Sequence, residues 1–287
     1  MGPYRTSRYT RTLSTSLIAV ASVFLSLAAA TSSQAAYGGN GCPFLRPDAS
    51  YGFIGFGTEL PTNPFGEPAG PIATLLIATP AGPGALTVKS IHFANRVLIP
   101  IPSVPGTYAV SDDCEVFDVI SVPGSGGALT LTGYGVIVDR GAESDYMATT
   151  PGDVVQNYVG RQLPAHCSDR SLSGTFGVTG SGVELPTNPL GHPGGPVTTT
   201  ALYYFDGRGQ VTQEVKDFIN GTLFSSGPLS GMYAVHGDCT IDMAFPVSPD
   251  VTLMALGVVL DEGERFHLLP TTPGGVVEAL TGKRIKE

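Results

Sequence analysis

The hexapeptide ELPTNP occurs twice, at residues 59–64 and 184–189, and the register that superposes the two copies organises most of the chain. At that same separation of 125 residues Cys42 falls on Cys167, and Asp113-Cys114 falls on Asp238-Cys239. Gly106-Thr-Tyr108-Ala-Val110 falls on Gly231-Met-Tyr233-Ala-Val235. Beyond the second cysteine the separation becomes 122. There GVIVDRG (135–141) matches GVVLDEG (257–263), and TTPG (149–152) matches TTPG (271–274). A three-residue difference in the Gly-rich stretch from Pro123 to Gly127 accounts for the change. A unit of roughly 120 residues written twice is two domains in tandem, too few and too long for a solenoid.

The first 36 residues stand apart from the repeat. Arg5, Arg8 and Arg11 precede an apolar, uncharged run from Leu17 to Ala30, and Ser33-Gln34-Ala35 ends in small residues, the pattern of a secretion signal. Fourteen apolar residues are fewer than the ~20 that a membrane-spanning helix needs, and no later segment is longer. The expected organisation is a signal peptide over 1–36, one repeat over 37–161 and a second over 162–287. The mature protein is then secreted, extracellular or periplasmic, where disulfides persist.

Each repeat reads as strands. The 38 Gly and 24 Pro disfavour helix interiors and serve turns. Val197–Phe205 is rich in β-branched and aromatic residues, Asp206-Gly207-Arg208-Gly209 supplies a turn, and Gln210–Val215 returns, which predicts a hairpin. Asn220-Gly221 predicts another, because both residues tolerate positive φ. Further β-prone runs follow at Met232–His236, Thr240–Phe245, Thr252–Leu260 and Phe266–Leu269. Seven or eight short strands per unit predict an all-β protein of two antiparallel barrels or sandwiches. A short helix is entertained only at Gly275–Thr281 and its counterpart Asp153–Gly160. If each unit closes its own disulfide, the bridges are Cys42–Cys114 and Cys167–Cys239; pairing across the units is the alternative.

A Cys, then Gly following Tyr51 or Phe176, a Gly-bounded hairpin, Gly-x-Tyr-x-Val with Asp-Cys, and finally Gly-Val-x-x-Asp-x-Gly with Thr-Pro-Gly together resemble a group of secreted, largely uncharacterised bacterial β proteins. The resemblance covers both repeats, where the group usually has one. It implies closed barrels of the lipocalin or allene oxide cyclase type, and it implies no established reaction.

Composition and motifs exclude several function classes. A net charge of −9 is the wrong sign for nucleic acid or for an anionic membrane surface. No Gly-x-Ser-x-Gly elbow, His-Glu-x-x-His or phosphate-cradling loop occurs. No Cys-x-x-Cys or cysteine–histidine spacing suggests a metal, and no cofactor is implied. Asp206-Gly-Arg-Gly has one carboxylate and an arginine where a calcium loop needs oxygen ligands, so it reads as a turn. Asp139 and Asp261 read as strand-end turns, and a glycosidase-like pairing of Glu59 with Asp139 would need a separation that sequence does not supply. None of the five histidines recurs in the other copy, and all five read as surface or loop residues. Asn220-Gly-Thr is a glycosylation sequon only in a eukaryotic secretory path.

Candidate binding residues sit on the repeated segments. In ELPTNP and its Gly-x-Pro-x-Gly-Pro continuation, the prolines stiffen a loop from which Glu59, Asn63, Glu184 and Asn188 could meet a ligand; His192 replaces Glu67 there. Tyr108, Tyr233, Phe93 and Phe218 read as core, or as the lining of a hollow barrel. The resulting expectation is a secreted, non-catalytic binding protein for a small apolar ligand or an extracellular partner. The alternatives are a cofactor-independent isomerase or cyclase using a barrel cavity, and a structural envelope or coat protein. A cavity of at least ~300 Å³ would favour binder or enzyme, and a filled interior the structural role.

Overall fold

The computed structural model describes residues 49–63, 68–124, 127–150 and 152–286. The expected signal peptide therefore lies outside the described residues. Eight antiparallel strands close the first barrel in sequence order: β1 (Tyr51–Glu59), β2 (Gly70–Gly82), β3 (Ala85–Ala94), β4 (Val97–Val110), β5 (Glu115–Gly124), β6 (Gly127–Val138), β7 (Glu143–Ala148) and β8 (Val154–Gln162). The second half comprises β9 (Ser173–Glu184), β10 (Gly195–Asp206), β11 (Gln210–Ile219), β12 (Thr222–Ser225), β13 (Leu229–Val235), β14 (Thr240–Ser248), β15 (Val251–Leu260), β16 (Arg265–Pro270) and β17 (Val276–Arg284). Its order is β10-β9-β17-β16-β15-β14-β13-β11-β12, and the β10–β11 pairing closes it. The short β12 hangs on β11 as the hairpin expected at Asn220-Gly221, whose φ values are +46° and +85°. The fold is all-β, with two tandem closed barrels.

The short helices entertained at Asp153–Gly160 and Gly275–Thr281 are strands instead. Both segments open on paired valines, and along β8 exposed Val155, Asn157 and Val159 alternate with residues turned to the interior. Closure explains the outcome: β8 pairs with both β1 and β7, and β17 with both β9 and β16, so a helix here would leave each barrel with open edges. The three-residue difference between the copies falls at the β5–β6 hairpin, whose strands are longer than those of β14–β15.

One disulfide is described, Cys167–Cys239, with Cα atoms 5.0 Å apart and a sequence separation of 72. The expectation of one bridge per barrel is met only there, since Cys42 lies outside the described residues.

Burial distinguishes the copies. From Val197 to Asp206 in β10 buried residues alternate with exposed ones, Leu202 alone being half-buried on the outer face, as expected of a sheet with one wet face. In β1 the first five residues are all buried, because Gly52 and Ile54 face the other barrel while Tyr51 and Phe53 face the first barrel's interior. Ile54, Ala73, Leu75 and Phe93 join Leu163 and the second barrel's Val258, Leu260 and Leu269 in one apolar cluster. A Cβ on Gly52 would lie 2.7 Å from Val258, which shows how closely the backbones approach. The interface is heterologous: the first barrel offers the outer face of β1–β3 and the second that of β15–β17. Hence Phe93 is buried at 1% exposure, whereas Phe218, expected in the core, is 53% exposed; its face of the second barrel has no such partner among the described residues. The other positions of that face carry Thr179, Thr200 and Lys216 where the first copy has Ile54, Leu75 and Ile91.

An ionic cluster built on the buried Arg161 ties the same interface. Arg161, at the end of β8, is paired with Glu143 of its own barrel and donates to Asp261 Oδ2 at 3.0 Å in the other. Asp261 thus does more than end a strand. His267, expected at the surface, is also buried here at 1% exposure, with Nδ1 3.1 Å from Thr281 Oγ1. Burial, reinforced by the charges of Arg161 and Arg265, lowers its pKa to about 3, so it is a neutral core residue.

Candidate functional site

The repeated motifs close one end of each barrel by latching to each other. Leu60 N donates to Asp153 O (2.9 Å) and Thr62 Oγ1 to Gly152 O (3.1 Å), joining the ELPTNP loop to the segment after TTPG. The second copy repeats this with Leu185 N to Gly275 O (3.1 Å) and Thr187 Oγ1 to Gly274 O (3.4 Å). Gly152 and Gly274 both take the left-handed conformation, φ +77° and +74°, which explains the glycine of TTPG. The doubled hexapeptide is thereby a latch, with its glutamate turned inward behind it.

The interiors behind the two latches differ. In the second barrel Phe176, Tyr203, Phe205 and Phe266 form a contiguous aromatic cluster with centroids 5.3 to 6.0 Å apart. These rings fill its middle. The corresponding residues of the first barrel are Tyr51, Ala78, Pro80 and Ser144, of which the last three are far smaller. A cavity of about 120 Å³ remains there, walled by Leu76, Leu86, Val104, Ile120 and Leu131. It does not reach the ~300 Å³ expected of a binder or enzyme site, and is close to the ~150 Å³ that suffices for a benzene ring.

Polar groups converge on one side of this cavity. Asp118 on β5 stands opposite Gly133 on β6, and the Tyr146 ring crosses that glycine from β7 so that its hydroxyl faces the Asp118 carboxyl without closing an ideal hydrogen bond. A Cβ at Gly133 would meet the Tyr146 oxygen at 2.4 Å. Desolvation pushes Asp118 up to about 6, an effect that hydrogen bonding from Tyr146 partly offsets. Burial likewise raises the Tyr146 and Tyr158 hydroxyls, both of which stay protonated. Gln156 Oε1 accepts from Tyr158 Oη (2.8 Å) and Thr74 Oγ1 (3.2 Å), while its Nε2 is buried and has no acceptor.

Of the residues picked out in the sequence, Glu59 and Tyr108 line this cavity, Glu59 at the latched end and Tyr108 toward the other. His92 lines it as well, 3.3 Å from Ser90 Oγ, and is therefore not a loop residue. Asn63 is buried in the latch turn, its N–H donating to Leu60 O at 3.1 Å. In the second barrel Asn188 Nδ2 donates to Glu184, and the His192 ring lies 4.5 Å from that of Phe224. Tyr233 is structural: its hydroxyl donates to the backbone oxygens of Asp169 (2.9 Å) and Leu172 (3.1 Å). Asp139 and Glu59 occupy opposite ends of the barrel, which rules out their acting as a carboxylate pair. Asp206 accepts from the N–H groups of Arg208 (2.7 Å) and Gln210 (2.9 Å), as a turn residue does.

The central pair, Asp118 and Tyr146, is absent from the sequence-based candidates. Comparing the copies would have found it: where the first has Asp118, Gly133 and Tyr146, the second has Met243, Ala255 and Leu268. The second barrel instead gathers Glu184, Asp217 and Glu278 around Thr199, which donates to Asp217 at 2.7 Å. Burial first, and then their mutual repulsion, raises Glu184 to about 7 and Glu278 to about 8. Among the described residues no group of His, Cys, Asp and Glu has the geometry to hold a metal ion, and no helix is long and apolar enough to cross a membrane.

No protein-family model and no curated protein matches the chain. Among solved structures it is similar to transferrin binding protein B from Haemophilus parasuis, at 8% identity over 83% of this chain and 76% of that one, with a TM-score of 0.32. The corresponding protein of serogroup B Neisseria meningitidis gives 5% identity, the same coverages and a TM-score of 0.28. Kievitone hydratase from Nectria haematococca gives 10% identity over 86% of this chain and 95% of that one, with a TM-score of 0.23. At such TM-scores the likeness carries no functional information.

Proposed function

We propose that the chain is a secreted binding protein in which the first barrel takes a small, mainly apolar ligand and the second is a filled scaffold. The contrast between the interiors carries this reading. Two copies of one sequence have diverged so that one is packed with aromatic rings, while the other keeps a cavity of about 120 Å³ with apolar walls and a polar cluster on one side. A structural coat protein would have no use for that difference, and filling the first interior would stabilise it.

Native mass spectrometry of the secreted protein tests the reading. A small non-covalent adduct is expected on the wild type and not on Ala78→Phe, which copies the bulk that Tyr203 brings to the other barrel. An empty wild type that also fails to take up any small apolar compound would overturn the proposal.

An isomerase working in the same cavity is the rival reading, and the Asp118–Tyr146 pair favours it: a buried carboxyl titrating near 6 can take or give a proton close to neutral pH. Recovery of the compound chemically changed, rather than intact and stoichiometric, would decide for the enzyme.

A further inference from the structure

We infer that the ligand of the first barrel is a neutral molecule of about one ring, bearing an oxygen that accepts a hydrogen bond from Gln156. This rests on the binding reading above and adds the chemistry of the ligand.

The starting point is the side-chain amide of Gln156, 3% exposed on β8. Two hydroxyls, Tyr158 Oη and Thr74 Oγ1, donate to its oxygen. The NH₂ is directed away from both and stands on the cavity wall with no acceptor among the described residues. Buried donors without acceptors are rare because each carries an uncompensated desolvation cost. Gly55 keeps the space beside it: a Cβ there would come within 3.0 Å of this nitrogen and 2.7 Å of the Tyr158 ring. The Tyr146 hydroxyl, opposite Tyr158 in register, stands on the same wall facing Asp118, which competes for its one proton, so it is a partial second donor. A ligand oxygen answers Gln156 in full and Tyr146 in part.

Charge excludes the anionic members of this class. Glu59, Asp118 and Asp153 line the cavity, and among the described residues its lining has one histidine, His92, and neither Lys nor Arg, so a carboxylate would meet three acidic side chains. The volume limits size, since a space near that which admits benzene takes a ring or a short chain, not a steroid or a long fatty acid. The second barrel supplies the contrast: Gln156 becomes Glu278 and Tyr146 becomes Leu268, so the donors vanish together where the interior is filled.

Three probes of similar shape separate the requirements: cyclohexanone, methylcyclohexane and cyclohexanecarboxylate, each titrated into the full chain and read by calorimetry and thermal shift. Cyclohexanone is expected to bind about tenfold more tightly than methylcyclohexane, the scale of one satisfied buried donor, with the carboxylate weakest. Gln156→Glu keeps an acceptor for Tyr158 and Thr74 and removes the NH₂; it should retain a cooperative melt and lose most of the preference. Tyr146→Phe, which deletes only a hydroxyl, should lose part of it and guards against a folding defect in the first variant. Equal binding of the ketone and the hydrocarbon, or tightest binding of the carboxylate, overturns the ligand class and leaves the binding reading standing. Binding of none of the three overturns both.

Discussion

Tyr146 reaches Asp118 only because Gly133 lies between them: the ring passes over β6 where a Cβ would sit 2.2 Å from its Cε1 and 2.4 Å from its hydroxyl oxygen. The second copy has alanine at the intervening position and no tyrosine to accommodate. Gly133→Ala should therefore expel Tyr146 from its place, at a cost of about 1–3 kcal/mol typical of overpacking. Adding Tyr146→Leu, the second copy's solution, should recover most of that loss. Urea denaturation of the two variants measures both effects, and a double variant no more stable than the single would show that the contact is not the cause.

Acidity gives a second test. Asp118, Glu184 and Glu278 have pKa values near 6, 7 and 8 in the folded chain, against 3.8 for an ordinary Asp and 4.5 for an ordinary Glu, in each case chiefly through burial. An acid whose folded pKa is raised binds more protons in the native state than in the unfolded one between those two values. The stability these three acids supply must then fall as pH rises from about 4 to about 8; below about 6.5 the lowered pKa of buried His267 opposes one of the three, and above it nothing in this set does. The melting temperature should accordingly drop by several degrees from pH 5 to pH 8. Glu278→Gln, which installs the residue found at the first barrel's matching position, should flatten the upper part of that profile and raise the melting temperature at pH 8. A wild-type melting temperature that climbs with pH would contradict the assignment.

The repeat register, the cysteines and the turn residues made the two-barrel architecture readable before any coordinates, because Gly, Pro and Asn-Gly act locally and their signals survive in sequence. The interface between the barrels was also written there, in the two-sided apolar runs FIGF and TLLIAT of β1 and β2 against the one-sided VTTTALYYF of β10. Phe93 and Phe218 look equivalent along the chain, yet only one finds a partner; which face docks depends on rigid-body placement that no local pattern encodes. The Asp118–Tyr146 pair was hidden for a different reason. Its members are 28 residues apart on non-adjacent strands, and what brings them together is a missing side chain at Gly133.

The latch between ELPTNP and TTPG predicts unequal costs for two glycines with the same backbone. Gly191 and Gly274 have φ of +72° and +74°, so alanine at either should cost the 1–2 kcal/mol or so of left-handed strain. A Cβ at Gly191 meets nothing within 4 Å, whereas at Gly274 it would stand 3.0 Å from the Thr187 carbonyl oxygen and 3.3 Å from its hydroxyl. Gly274→Ala should therefore be the more destabilising by about 1 kcal/mol, since it also displaces the Thr187 hydrogen bond. Chemical denaturation of the two single variants decides it, and equal losses would mean that the latch contributes nothing.

Arg161 is the residue whose loss should be felt in both barrels. Its guanidinium, 8% exposed as a residue, pairs with Glu143 beside it and with Asp261 across the interface, and Asp261 is shared with Arg265 at 3.4 Å. Removing one member of a fully buried ion pair typically costs 3–5 kcal/mol because its partner is left desolvated; Glu143 and Asp261 each keep 22% of their side-chain surface exposed, which puts the cost here at the low end, about 3 kcal/mol. Arg161→Leu should show a loss of about that size, and Arg161→Leu with Glu143→Gln and Asp261→Asn together should show a smaller one, because the orphaned charges go with the arginine. His267 offers a local readout. Burial is the main reason its pKa is low, but the Arg161 charge is the next, so the variant's His267 ring resonance should titrate at higher pH than the wild type's. If the triple variant is as destabilised as the single, the penalty belongs to packing of the arginine stem and not to stranded charge.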